Sequence, residues 1–178
     1  MSGIVGYYNL TEWWLQTFSH EDIIRVKSTF IDEEDFHELT HGDVTYSSRN
    51  TIAFLENMAN RMIRTKHYDL AKVFLSKAET LIEYGTPSEI HFLYRAFIEY
   101  YSEFSLKHNF EKQLEYALKQ IDIADSASRE IIDKSCYFKI AHRGYELYYD
   151  YLKANKKTEE AKALKAKARK EKWNFSYY

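Results

Sequence analysis

From Thr51 onward the apolar residues recur every three or four positions, and this period limits the fold more than any other feature of the chain. Ile52, Leu55, Met58, Ala59, Met62 and Ile63 fall on one face of a helix with 3.6 residues per turn. A single Pro and five Gly among 178 residues leave few of the residues that punctuate strands and tight turns. The expectation is an all-α fold of one globular unit, a length at which most apolar surface can be buried.

Residues 1–50 read as an N-terminal helical segment followed by a connection. Asn9 or Thr11 can cap a short helix carrying Trp13, Trp14 and Leu15. Ser19 with Asp22 has the spacing of a capping box and opens a second helix to about Phe30. Ile31–Asn50 lacks a period and is read as a connection with one helical turn. Residues 51–178 then divide into helices. His67-Tyr68-Asp69 turns the chain into a helix over Leu70–Glu83, stopped at Tyr84-Gly85-Thr86-Pro87 by a left-handed Gly and by Pro. Ser88 is placed as the cap of a helix to about Lys107, Asn109 as a break before the next, which runs to Ile123. A last pair is expected over Arg129–Leu152 and Thr158–Lys172.

The second helix of each pair carries a small residue, a large one four positions on and a small one three further. These are Ala71, Leu75 and Ala78, then Ala117, Ile121 and Ala124, then Ala161, Lys165 and Ala168. This pattern resembles the tetratricopeptide family, where small residues allow the two helices of a hairpin to approach closely. Twelve positions earlier stand Ala59, Ser105 and Tyr149, so Tyr149 and Lys165 depart from the pattern and mark the third hairpin as a polar terminal cap. The repeats are long, with 46 residues from Ala71 to Ala117 and 44 from Ala117 to Ala161, against 34 in the family. The resemblance implies an array of about three antiparallel hairpins, with Trp13 and Trp14 packed on the first. More loosely, Tyr8-Asn9-Leu10-Thr11-Glu12-Trp13-Trp14 and Ala141-His142-Arg143-Gly144-Tyr145-Glu146 resemble a group of bacterial proteins of unassigned function that join such a segment to such hairpins.

The resemblance also implies a role. First helices would line a concave face that binds a protein or peptide, placing Asn57, Asn60, Arg64, Glu99, Glu103, Arg143 and Glu146 there as partner-binding residues. Of the family's terminal-carboxylate clamp only Asn60 is matched, and Glu56 stands where Lys is expected. An acidic-leaning groove suits a basic or aromatic peptide. The aromatic stripes Tyr94, Phe97, Tyr100, Tyr101, Phe104 and Tyr145, Tyr148, Tyr149, Tyr151 have helical spacing and read as core. His91 and His142 read as packed helical histidines rather than ligands.

Two features favour other chemistry. His37-Glu38-Leu39-Thr40-His41 has the HExxH form in which two His at i and i+4 bind zinc and Glu activates water, so the alternative function is a zinc-dependent hydrolase. That motif needs a helix continuing past the second His and a third ligand. Gly42 follows at once, and His67, Glu79 and His91 are undistinguished as third ligands. The second alternative is single-stranded nucleic acid, bound by the basic helix Lys162–Lys172 with Trp173, Phe175, Tyr177 and Tyr178. Lys153–Lys172 holds nine basic against three acidic residues, yet the whole chain has a net charge of -2, which disfavours nucleic acid.

Apart from these alternatives no enzymatic role, cofactor or metal is expected. No apolar run is long enough to span a bilayer, and Met1–Gly6 lacks the form of a signal peptide, so the expectation is a cytoplasmic protein. The lone Cys136 fits a reducing compartment and, beside Tyr137, Phe138 and Ile140, reads as a small buried residue.

Overall fold

The computed structural model of the protein describes residues 2–103, 107–134 and 141–174. Among them the regular structure is helical and no strand forms, apart from one isolated backbone bridge between Ala141 and Asn174. No helix among them is long and apolar enough to cross a membrane. The expectations for Phe104, Ser105, Cys136, Tyr137, Phe138, Ile140, Phe175, Tyr177 and Tyr178 lie outside the described residues. The chain divides into two compact units, Met1–Ala78 and Glu79–Tyr178.

The first unit begins with α1 (Gly3–Tyr7), α2 (Thr11–Thr17) and α3 (His20–Lys27). The capping box expected at α3 is present: the Asp22 amide donates to Ser19 Oγ at 3.2 Å and the Ser19 amide to Asp22 Oδ2 at 3.0 Å. Helix α4 (Glu33–Thr40) occupies part of the expected connection and has two turns rather than one. Its first turn is stabilised locally. Asp32 Oδ1 accepts from the Glu34 amide, and Glu33, Glu34 and Asp35 lie in the first turn, where the helix dipole favours negative charge.

Helix α5 (Thr51–Arg64) follows the periodic stretch, capped by Asn50 Oδ1 on the Ala53 amide, and α6 (Tyr68–Glu79) packs beside the aromatic N-terminus. Trp14 and Phe74 are fully buried, with Trp13 and Phe18 closing round Phe74 at ring separations of 5.8 and 5.2 Å. Trp13 and Trp14 thus meet Phe74 of α6.

The second unit contains a single 3-10 turn, Ile82–Tyr84, then α7 (Pro87–Ser102), α8 (Lys107–Asp122), α9 (Ala124–Lys134), α10 (Arg143–Ala154) and α11 (Thr158–Lys170). Helix α7 packs on α8 and α9, while α10 packs on α8 and α11. Several boundaries differ from the sequence expectation. Helix α6 stops at Glu79, so Gly85 is not its left-handed cap but extended, at φ −89° and ψ 150°. Thr86, not Ser88, caps α7 in a box with Glu89, and Pro87 starts the helix instead of ending one. Asn109 lies inside α8, and the expected Arg129–Leu152 helix is two helices, with His142 extended before the second.

Candidate functional site

The HExxH stretch forms the C-terminal end of α4. The helix stops at Thr40 and His41 is its C-cap, so the continuous helix required by a zinc-hydrolase reading is absent. His37 and His41 still share one face, their rings stacked at 5.2 Å between centroids with 21° between planes. Both are exposed, and they border a surface cavity of about 400 Å³ shared with Lys27, Glu33, Glu34, Phe36 and Thr40. Among the described residues no three His, Cys, Asp or Glu side chains form a metal-holding group.

This helix end is anchored by the chain's start. Ser2 Oγ donates to the His41 carbonyl at 2.8 Å, and the Gly3 amide donates to the Gly42 carbonyl at 2.6 Å. Gly3 has φ +64°, and a Cβ there would lie 2.6 Å from the Glu38 carbonyl oxygen and 2.8 Å from the His41 nitrogen. Only glycine combines that dihedral with that approach.

The residues expected to line a concave face are distributed over both units. In the first, α5 carries Asn57, Asn60 and Arg64; Arg64 is exposed and Asn60 donates its side-chain amide to Glu56. In the second, α7 carries Glu99, which accepts from Arg95 at 2.7 Å, and ends at the exposed Glu103. On α10 Arg143 is half-buried, whereas Glu146 is buried at 4% exposure with the Arg143 guanidinium 3.7 Å away. Arg143 therefore reaches a surface and Glu146 does not. The basic α11 keeps Lys162, Lys167, Arg169 and Lys170 exposed, with Lys162 paired to Glu159 and Lys167 to Glu171.

A buried polar arrangement in the second unit is one that single-residue reading missed. His91 on α7 and His142 before α10 are both fully buried, and their rings meet edge to face at 4.8 Å. Trp173 stacks on His91 at 4.6 Å and meets His142 at 4.8 Å, its indole N–H donating to the Ala124 carbonyl at 3.0 Å. Gln120, also fully buried, donates to the His91 carbonyl at 3.0 Å and accepts the Gly144 amide at 2.7 Å. His142 Nδ1 accepts the Tyr145 amide at 3.1 Å, so an imidazole does the capping usually left to Ser or Asp.

Burial makes the charged form of either ring costly. The His91 pKa falls to about 3 through desolvation and the nearby Arg95. That of His142 falls to about 2 through desolvation and the adjacent His91, with Lys167 adding to the effect. Both are neutral at physiological pH. Among the described residues His91 Nδ1 and His142 Nε2 have no hydrogen-bond partner. The two residues stand 51 positions apart, and no spacing rule links them.

Comparison of the chain with family models, with curated proteins and with solved structures finds no match.

Proposed function

We propose that the chain is a protein-interaction module of tetratricopeptide-like helical hairpins that binds a protein or peptide segment. The observation carrying this reading is burial at the repeat positions: Ala71, Ala78, Ala117, Ala124 and Ala168 are fully buried and Ala161 is 1% exposed. Leu75 at 0% and Ile121 at 7% occupy the large positions between them. Small side chains buried at this spacing are what closely approaching helices need, and a hairpin array leaves first-helix faces free to bind extended segments. Exposed Arg64 in the first unit and, separately, exposed Glu103 with half-buried Glu99 and Arg143 in the second are the residues assigned to contact a partner.

The reading is tested by placing a photo-crosslinking residue at Glu99 or Arg64 in the full chain and identifying adducts in the native cell. The partner segment is then titrated against purified protein. Saturable binding weakened tenfold or more by Glu99→Lys supports the proposal; binding indifferent to substitution at all of these positions rejects it.

A further inference from the structure

The geometry points to a divalent transition-metal site at the end of α4, with His37 and His41 as its two protein ligands and its remaining coordination positions filled by water. This inference does not depend on the interaction-module reading. Side chains at i and i+4 of a helix have Cβ atoms about 5–6 Å apart, close enough for two imidazoles to reach one ion. Here the rings are parallel within 21° and border the same cavity.

The His41 ring has a buried hydrogen-bonding neighbour. Thr40 Oγ1 donates to the Phe36 carbonyl at 3.2 Å and lies 2.7 Å from His41 Nδ1. Metal binding through Nε2 requires the tautomer in which Nδ1 carries the hydrogen, and with its hydroxyl proton directed to Phe36, Thr40 Oγ1 is placed to accept it. Thr40 is 3% exposed, so this partner is held in place. Metal-binding histidines characteristically donate their other ring nitrogen in this way. The backbone is held too, by Ser2 on the His41 carbonyl and Gly3 on Gly42.

The surrounding charge favours a cation. Asp32, Glu33, Glu34, Asp35 and Glu38 surround the pair in sequence, and the two rings lie in the last turn, at the negative end of the helix dipole. Lys27 is already bound to Glu33 at 2.8 Å. Imidazole ligands select Zn²⁺, Ni²⁺ and Cu²⁺ over Mg²⁺ and Ca²⁺, with Cu²⁺ bound most tightly. With two protein ligands the ion keeps open positions and exchanges, unlike a four-ligand structural zinc.

The test is calorimetric titration of the full chain with Zn²⁺ and with Cu²⁺, alongside histidine-ring NMR. One saturable site per chain is expected, tighter for Cu²⁺, with ring shifts at His37 and His41. His37→Ala and His41→Ala should each lower the affinity at least tenfold. Thr40→Val should lower it about tenfold by releasing the His41 ring, as loss of such outer partners does elsewhere. Both histidines are exposed, and circular dichroism checks that the variants fold. Glu38→Gln should bind as wild type; its failure to bind would overturn the two-histidine ligand set. No saturable binding, or binding that persists in the His37→Ala, His41→Ala double variant, would overturn the site itself.

Discussion

The ammonium of Lys165 lies 5.9 Å above the centre of the Tyr149 ring, joining α11 to α10. The two departures from the small-residue pattern therefore meet, and a cation over an aromatic face replaces the close approach that alanine would have permitted. A double-mutant cycle with Tyr149→Leu and Lys165→Met, followed by urea unfolding, should give a coupling of about 0.5–1 kcal/mol. Strict additivity would remove the contact from the energetics of this hairpin.

The buried histidines make stability depend on pH. Their folded pKa values, about 3 and about 2, lie below the ordinary 6.5, so between these limits the unfolded chain binds more protons than the folded one. The contribution is complete above about pH 6.5 and is lost as pH falls, at up to ~1.4 kcal/mol per pH unit for each ring. Unfolding midpoints in urea between pH 7 and pH 5, above the main carboxylate range, should fall steeply. His91→Leu should remove about half of that slope, and an unchanged slope would mean that His91 is not held neutral.

Gln120 bridges two helices through groups that water does not reach. Replacing it with Leu keeps much of the volume but strands the Gly144 amide, one of the orphan donors in the first turn of α10. An unsatisfied buried donor costs roughly 1–3 kcal/mol, so Gln120→Leu should lower the unfolding free energy by about that amount. Hydrogen exchange at Gly144 should accelerate in parallel.

Gly3→Ala and Gly144→Ala should both destabilise, by different routes. At Gly3 the backbone has a positive φ and the new Cβ would meet backbone atoms of α4. At Gly144 the added methyl would lie 2.8 Å from the Ala117 carbonyl oxygen and 2.7 Å from Gln120 Oε1. Overpacking against a fixed backbone costs about 1–3 kcal/mol, measurable by thermal or denaturant melts. Gly3→Ala should also weaken Zn²⁺ binding, because the clamp on His41 loosens.

Sequence patterns reveal helices whose stability comes from an apolar stripe and conceal those stabilised in other ways. Helix α5 was legible because Ile52, Leu55, Met58, Met62 and Ile63 are all buried on one face. Helix α4 was not, since its first turn rests on acidic residues and the Asp32 cap, and its buried Leu39 and Thr40 are adjacent at its end rather than spaced as a stripe. Asn109 looked like a break because its intrinsic preference is weak, yet a helix of sixteen residues tolerates one such position. The His37 and His41 pair could be read directly, being one helical turn apart. The meeting of His91 with His142, and the cover provided by Trp173, depend on tertiary packing across three chain segments and leave no local signature.

Trp173 also sets an order of events during synthesis. The second unit's core includes Ile121, Ala124, Tyr145 and Trp173, and Ser128 reaches forward to the Glu171 carbonyl. A growing chain that has completed α7, α8, α9 and α10 still leaves His91 and His142 without their indole cover. Closure of this core must await emergence of residue 173 from the ribosome, so a nascent chain stalled before that point would carry two uncovered imidazoles in a half-built interior.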